Sequence, residues 1–378
     1  MIAGFCTFLN VYTPQAILPA LAKTFDVPLP RTGLTITAPL LAVAFVAPFV
    51  GTISDRLGRK WIILSAAAIL VAPILLVARA DSLDEMILWR FLQGLLFPFI
   101  FAVTIAYVGD ECDGADAIRT AGFYTSGTIA GGFGGRFLAG IASDFFGWRF
   151  AFVLLAAITA ACAAVIAVFL PAERKFVAFR GGARATLGTY GEHLRNPRLL
   201  ATCFIGAGML FAMVTIFTYV NFYLAAPPFG LNSAELGFVF AVYLLGFVTT
   251  PLASRLAVRS GRRLTIALAI AIAGAGTLLT LVPNIPAVIA GMALVAAGMF
   301  VVQSLSLGFI GVIARRAKST AVGLFVTVYY LGGSLGGVVA APFWRWFGWP
   351  GVIALLFGVM ALMLATALRF WREGPAQQ

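Results

Sequence analysis

The sequence predicts an all-α membrane protein of twelve transmembrane helices, arranged as two pseudo-symmetric six-helix bundles. Three observations carry that expectation. Hydrophobic residues make up 61% of the 378 residues, with a mean hydropathy of +1.00. Polar interruptions divide the chain into apolar runs near the roughly 20 residues that cross a bilayer. The second observation is an internal repeat. Ser254-Arg-Leu-Ala-Val258-Arg259-Ser-Gly261-Arg262-Arg263 matches Gly51-Thr-Ile-Ser-Asp55-Arg56-Leu-Gly58-Arg59-Lys60 at an offset of 203. Gly332-Gly333-Ser-Leu-Gly336 with Phe347-Gly348-Trp349 matches Gly131-Gly132-Phe-Gly-Gly135 with Phe146-Gly147-Trp148 at an offset of 201. Two near-equal offsets at independent places indicate a duplicated unit, and six helices per unit keep both copies facing the same way. The third observation is charge placement. With the Gly51–Lys60 loop taken as cytoplasmic, the loops on its side hold 19 of the 26 Lys and Arg residues. That is a positive-inside bias, and it puts both chain ends in the cytoplasm.

The elements follow in order. Helix one is expected over about 2–22, with Pro14 and Pro19 inside it. It begins almost at Met1 without a charged n-region or a cleavage site, so it reads as a helix and not a signal peptide, and an upstream native start is expected. Helix two (about 33–54) leads through the basic loop to helix three (about 61–79), and Asp81, Asp84 and Glu85 mark an outer loop before helix four (about 86–108). Helix five (about 120–143) is glycine-rich, and Phe146-Gly-Trp-Arg149 turns the chain into helix six, which stops near Pro171. The first bundle therefore covers 1–171, and a basic, glycine-interrupted linker covers 172–197 with one helix lying on the membrane surface. The second bundle covers 198–378, with helices at about 199–224, 234–254, 264–282, 287–312, 320–342 and 350–368.

Composition excludes several function classes. The net charge of +12 is explained by topology, so no nucleic-acid partner is expected. Cys6, Cys112, Cys162 and Cys203 lie far apart without disulfide or metal spacing. The single histidine, His193, falls in the linker, so no histidine-based catalytic or metal site can be assembled in the membrane. The glycine clusters lack the strand and the Lys-Ser/Thr pair of a phosphate-binding loop. No enzyme, metal site or cofactor is expected.

The stretch from Gly51 to Lys60 is a short polar hinge between two apolar runs. Gly51 is expected to allow close helix approach, Asp55 to accept hydrogen bonds from the first amides of the next helix, and Gly58 to permit a tight turn. Its pattern G-x-x-x-D-R-x-G-R-K resembles the loop between helices two and three of the major facilitator superfamily. With the repeat added, the resemblance covers essentially the whole chain. More narrowly, the chain is similar to the twelve-helix drug–proton antiporter branch and to inner-membrane transporters of the YnfM type. That likeness rests on Arg90-x-x-Gln93-Gly94, on Gly127-x-x-x-Gly131-x-x-x-Gly135-Arg136 and on Tyr12-Thr-Pro14-Gln15. Gly132 stands where family members commonly have proline, and Val258 takes the place of Asp55 in the second half. Both are departures from the family pattern.

The resemblance implies a rocker-switch transporter with a central cavity between the halves. Its inner gate would be a charge cluster of Asp55, Arg59 and an acid at the end of helix four, Asp110 or Glu111, with Arg56 and Lys60 beside it. The resemblance associates Arg90 with proton coupling, and Arg90, Gln93 and Arg136 are candidates for proton coupling or substrate binding; a charge within hydrocarbon costs at least about 2.5 kcal/mol unless it faces a cavity or partner. Arg90 at the outer interface, snorkelling or paired with Glu85 or Asp144, is the structural alternative. The cavity candidates are Asn10, Tyr12, Gln15, Tyr219, Asn221, Tyr223, Tyr243, Gln303, Ser304, Tyr329 and Tyr330, a mixture of aromatic faces and hydrogen-bonding groups suited to amphipathic organic molecules. Gly127, Gly131, Gly135, Gly332 and Gly336 are assigned to helix packing.

The function expected is export of small drug-like or metabolite molecules across a bacterial inner membrane, in exchange for protons and by a monomer in the lipid bilayer. Two arginines in the membrane, with all fourteen acids in loops or at helix ends, favour an alternative: an organic-anion or sugar-type metabolite exporter, or a uniporter without proton coupling. A transporter-like ligand receptor is the reading from another class.

Overall fold

The computed structural model describes residues 1–173, 191–313 and 318–371, without the side chains of Asp55, Ala115, Ile118, Ser254, Lys318 and Ser319. Most of the expected linker therefore lies outside the described residues. The elements are α1 (Ile2–Val11), a 3₁₀ turn (Thr13–Ile17), α2 (Leu18–Phe25), α3 (Leu29–Thr32), α4 (Leu34–Leu57), α5 (Arg59–Arg79), α6 (Leu83–Glu111), α7 (Gly114–Phe146) and α8 (Trp148–Phe169). After the linker come α9 (Pro197–Ala225), α10 (Ser233–Val239), a 3₁₀ segment (Phe240–Leu245), α11 (Gly246–Ser260), α12 (Arg262–Leu279), α13 (Ile285–Ile313) and α14 (Lys318–Phe370).

Among the described residues, nine helices are long and apolar enough to cross a membrane. One of them, within α14, holds the non-helical residue Gly348 (φ 61°) and is two helices end to end. With the broken first span and the 33-residue α7, the set is consistent with the twelve expected. The architecture is an all-α membrane fold.

Three local expectations need correction. The first span is not continuous: proline has no N–H, so Pro14 cannot bond the carbonyl of Asn10, and the chain tightens into 3₁₀ geometry at Thr13–Ile17 before Pro19 opens α2. Helix five is longer than 120–143, starting at Gly114 (φ 52°) and running to Phe146. The outer connection expected after residue 342 is one residue, Gly348, and not a loop.

The duplication reappears in the backbone. Gly58 (φ 89°) and Gly261 (φ 78°) reverse the chain at equivalent points, 203 residues apart, and so do Gly147 (φ 85°) and Gly348 (φ 61°), 201 apart. Each is a one-residue corner in the left-handed region, where a Cβ would be strained.

Two compact units result: Met1–Arg180 with Asn221–Ala241, and Gly181–Val220 with Val242–Gln378. The glycine motif of α7 has a direct structural reason in the first unit. A methyl on Gly127, Gly131 or Gly135 would stand closer than 3.0 Å to the carbonyl oxygen of Met1, Phe5 or Leu9 respectively. Every fourth residue of α7 thus rests on every fourth carbonyl of α1, the close contact small residues provide where no hydrophobic force separates helix from lipid. In the second unit Gly332 and Gly336 rest in the same way on Ala207 and Phe211 of α9. Thr215 Oγ1 and Tyr219 Oη donate to the carbonyls of Gly336 and Gly337 at 2.8 and 2.9 Å. Gly51 departs from the packing expectation, since it is exposed and a methyl there would meet nothing within 4 Å. Large apolar side chains such as Phe45, Phe49, Trp61, Phe169 and Leu362 stay exposed, as lipid-facing surface requires.

Candidate functional site

Arg90 is fully buried and bridges three spans. Its Nε donates to the Thr35 carbonyl (3.1 Å), Nη1 to the Asn10 carbonyl (2.8 Å) and to Gln93 Oε1 (2.5 Å), and Nη2 to the Val11 carbonyl (2.5 Å). The acceptors are not arbitrary. In an α-helix a carbonyl accepts from the N–H four residues on. Asn10 is four residues before Pro14 and Thr35 is four before Pro39, so prolines leave both carbonyls without that donor. Val11 loses its own when the Gln15 N–H turns to Tyr12 in the 3₁₀ segment. The guanidinium therefore satisfies carbonyls exposed by two proline defects, in a medium without water to do so. Gln93 extends the clamp to α5 by donating from Nε2 to the Pro73 carbonyl at 3.1 Å. Gly94 lets α6 lie against Pro39, where a methyl would fall inside 3.0 Å of backbone. Glu85 is engaged elsewhere, accepting from the Asp81 N–H and Trp89 Nε1 at 3.1 Å each. Asn10, a cavity candidate, turns its side chain to Thr159 of α8 at 2.9 Å.

Arg136 is 1% exposed on α7. Its guanidinium carbon lies 4.7 Å from the centroid of Tyr12 and 4.8 Å from that of Phe240. Nε donates to Gln15 Oε1 at 2.7 Å, and Nη1 donates to the Gly132 carbonyl. Both rings sit where their spans lose α-geometry: Tyr12 caps α1 ahead of the first 3₁₀ turn, and Phe240 opens the second 3₁₀ segment. Of the residues expected to meet in a cavity, Tyr12, Gln15 and Arg136 are brought together, and Phe240 joins them unforeseen. An aromatic ring in an apolar run looks like core until the fold places a cation beneath it.

The basic loop forms a second cluster. Arg59 Nη2 pairs with Asp110 Oδ2 at 2.7 Å, with the arginine side chain 13% and the aspartate 41% exposed. Glu111 lines a cavity of about 650 Å³ with Met1, Tyr107 and Thr120. The Asp55 side chain lies outside the described residues. An unforeseen acid stands at the helix start: the Lys60 N–H donates to Glu173 Oε1 at 2.5 Å, placing a carboxylate at the positive end of α5. The corner at Gly58 admits it, since even a methyl there would stand 3.4 Å from Glu173 Oε2. No local pattern at Leu170-Pro-Ala-Glu173 announces that contact. Arg56 is exposed.

In the second unit Tyr219 is buried and committed to the Gly337 carbonyl. Gln303 Nε2 donates to Tyr329 Oη at 3.1 Å, and Tyr329 packs edge-on against Tyr330 at 5.2 Å. Tyr243 meets Phe217 and Phe300 edge-on at 4.6 and 5.7 Å. Ser304 is half-buried. Asn221 is buried in the part of α9 that clusters with the first unit, and Tyr223 there packs edge-on to Phe229 at 5.1 Å. Among the described residues no group of three or more metal-binding side chains occurs.

Comparison with known proteins gives this geometry its context. The family model of the Major Facilitator Superfamily matches residues 1–232 and 224–378. The inner membrane transport protein YnfM of Escherichia coli is 31% identical over 372 residues, 97% of this chain and 88% of that one. The uncharacterized MFS-type transporter YybF of Bacillus subtilis is 29% identical over 380 residues, covering 98% of this chain and 91% of its own. Among solved structures, a variant of the nucleoside transporter NupG superposes with a TM-score of 0.81 at 14% identity, over 98% of both chains. A bacterial homolog of the human lysosomal transporter Spinster, inward-facing and occupied, superposes with a TM-score of 0.76 at 13% identity, over 99% of this chain and 97% of that one. At those identities the two structures speak to the fold alone.

Proposed function

The chain belongs to the Major Facilitator Superfamily, a family of membrane transporters and not enzymes, and from that premise we propose that it exports small organic molecules by alternating access in exchange for protons. The observation that carries this reading is the Arg59–Asp110 pair at 2.7 Å, at the end of a half-bundle where Glu173 also closes on Lys60. An ion pair this exposed contributes about 0–1 kcal/mol. That is the scale of a latch made and broken in every cycle. Asp110, 41% exposed, is within reach of water, while Arg59 is held at 13% exposure behind it. Arg90 and Gln93 serve in this reading as the clamp that holds the proline-broken spans together while the latch works. The basic loops and both chain ends face the cytoplasm, as the distribution of Lys and Arg supports.

The test is proton movement in sealed proteoliposomes carrying a preset pH gradient, with cationic, neutral and anionic solutes added in turn. Solute-dependent collapse of the gradient, lost in Asp110→Asn, is the expected result. Solute flux with no proton signal would remove antiport and leave a facilitator. Arg136 favours a second reading, in which the solute is an organic anion and no proton is exchanged. The same vesicles separate the two by which solutes move and whether protons move with them.

A further inference from the structure

We infer that Arg136 is the recognition point for planar, aromatic carboxylates, with Tyr12 and Phe240 as the rings that hold its place when no such molecule is bound. The inference rests on the transport reading for its biological sense, but not on proton coupling.

A guanidinium is flat, carries charge on both faces and presents five N–H donors around its edge. In this protein two rings have their centroids 4.7 and 4.8 Å from the guanidinium carbon, and the edge donates to a side-chain amide and a backbone carbonyl. These partners are electron-rich but uncharged. A molecule with a carboxylate and a flat π-system offers both kinds of contact in a stronger form. Its carboxylate makes charge-assisted bonds to the edge in exchange for neutral acceptors. Its ring takes the place beside the guanidinium that an internal ring holds now. Phe240 is the ring suited to yield, because it stands where α10 passes into 3₁₀ geometry, while Tyr12 stands at a separate discontinuity, that of the first span. Non-helical backbone at membrane depth is tolerated where it lines protein interior or a cavity, and here two such breaks converge on one charge.

The probes are 2-naphthoate (planar anion), cyclohexanecarboxylate (non-planar anion) and 2-naphthylmethylammonium (planar cation), titrated calorimetrically against the full chain in detergent. Naphthoate is expected to bind at least tenfold more tightly than either of the others. Arg136→Gln should abolish that preference. Arg136→Lys, which keeps the charge but loses the flat face, should bind both anions alike. Phe240→Leu removes the internal competitor and should tighten naphthoate about threefold to tenfold, leaving cyclohexanecarboxylate unchanged. A merely structural arginine would not produce that gain. Because Arg136→Gln can fail to fold, Phe240→Leu and Arg136→Lys decide the matter on their own. Equal binding of the three probes, or no gain in Phe240→Leu, overturns the inference. The proteoliposome assay keeps the two readings apart. Flux of cationic solutes without preference for naphthoate sinks this inference and spares transport. Arg136-dependent binding with no flux of any solute spares the inference and sinks the transport reading.

Discussion

Replacing Arg90 by methionine tests whether this arginine is a clamp for proline-exposed carbonyls. The substitution keeps an unbranched side chain of similar reach but removes every donor. Three backbone carbonyls, those of Asn10, Val11 and Thr35, lose the guanidinium at a site that is 0% exposed. An unsatisfied buried acceptor costs about 1–3 kcal/mol, so the gross loss is about 3–9 kcal/mol. Against it stands the cost of keeping a charge in hydrocarbon, at least about 2.5 kcal/mol, which the variant no longer bears. The net expectation is destabilisation of about 3 kcal/mol. For a unit of this size that lowers the unfolding midpoint by about 6–12 °C. The midpoint is read in detergent with a thiol-reactive dye, since Cys6, Cys162 and Cys203 are buried and become reactive on unfolding. Scan rate is held fixed because such unfolding is rarely reversible. The diagnostic step is Pro39→Ala, which returns an N–H to the Thr35 carbonyl. It should raise the midpoint of the Arg90→Met chain by about 2–4 °C more than it raises that of the parent. A midpoint for Arg90→Met within about 2 °C of the parent would refute the clamp. So would an equal effect of Pro39→Ala in both backgrounds.

Four further outcomes follow from the same geometry. Gly135→Ala forces a methyl against the Leu9 carbonyl, a backbone atom that cannot turn aside, and should cost about 1–3 kcal/mol in the same dye assay. Gly51→Ala meets nothing within 4 Å and should be neutral or stabilising by up to about 1 kcal/mol, reversing the expectation drawn from its motif. Asp110→Asn should reduce solute-driven proton movement in vesicles at least tenfold while shifting the midpoint by no more than about 2–4 °C, since an exposed pair contributes about 0–1 kcal/mol. Tyr219→Phe should lose about 1 kcal/mol of stability with the bond to the Gly337 carbonyl, and solute affinity should stay unchanged if that hydroxyl is packing and not binding site.

Spans, duplication and charge bias were legible because each is a local property. Hydrocarbon has no water to satisfy the backbone, so a run of apolar residues must be helical wherever it lies in the chain. The four corner glycines, Gly58, Gly147, Gly261 and Gly348, were visible as a repeat before their positive φ values gave the reason. The glycines of α7 were assigned to packing from spacing alone, and the carbonyls of α1 beneath them are the partner that spacing could not name. Where local reading failed, it failed at a break. Pro14 was seen, but not that the span would tighten there and release two carbonyls.

What only the tertiary structure decided is the partner of each membrane charge. Arg90 reaches acceptors 55, 79 and 80 residues away, and Arg136 finds Gln15 121 residues away. The sequence shows that such charges need partners but not which, because a guanidinium can be met by a carboxylate, a carbonyl or a ring. Only the packing of particular helices brings one of these within 3 to 5 Å. The pairing of Arg59 with Asp110 is of the same kind: adjacent residues on one helix point in directions about 100° apart, and the approach of the neighbouring helix decides what each one meets. Composition determined that this chain is a bundle of paired membrane spans. Contact between residues distant in the chain determined which partner each of its membrane charges meets.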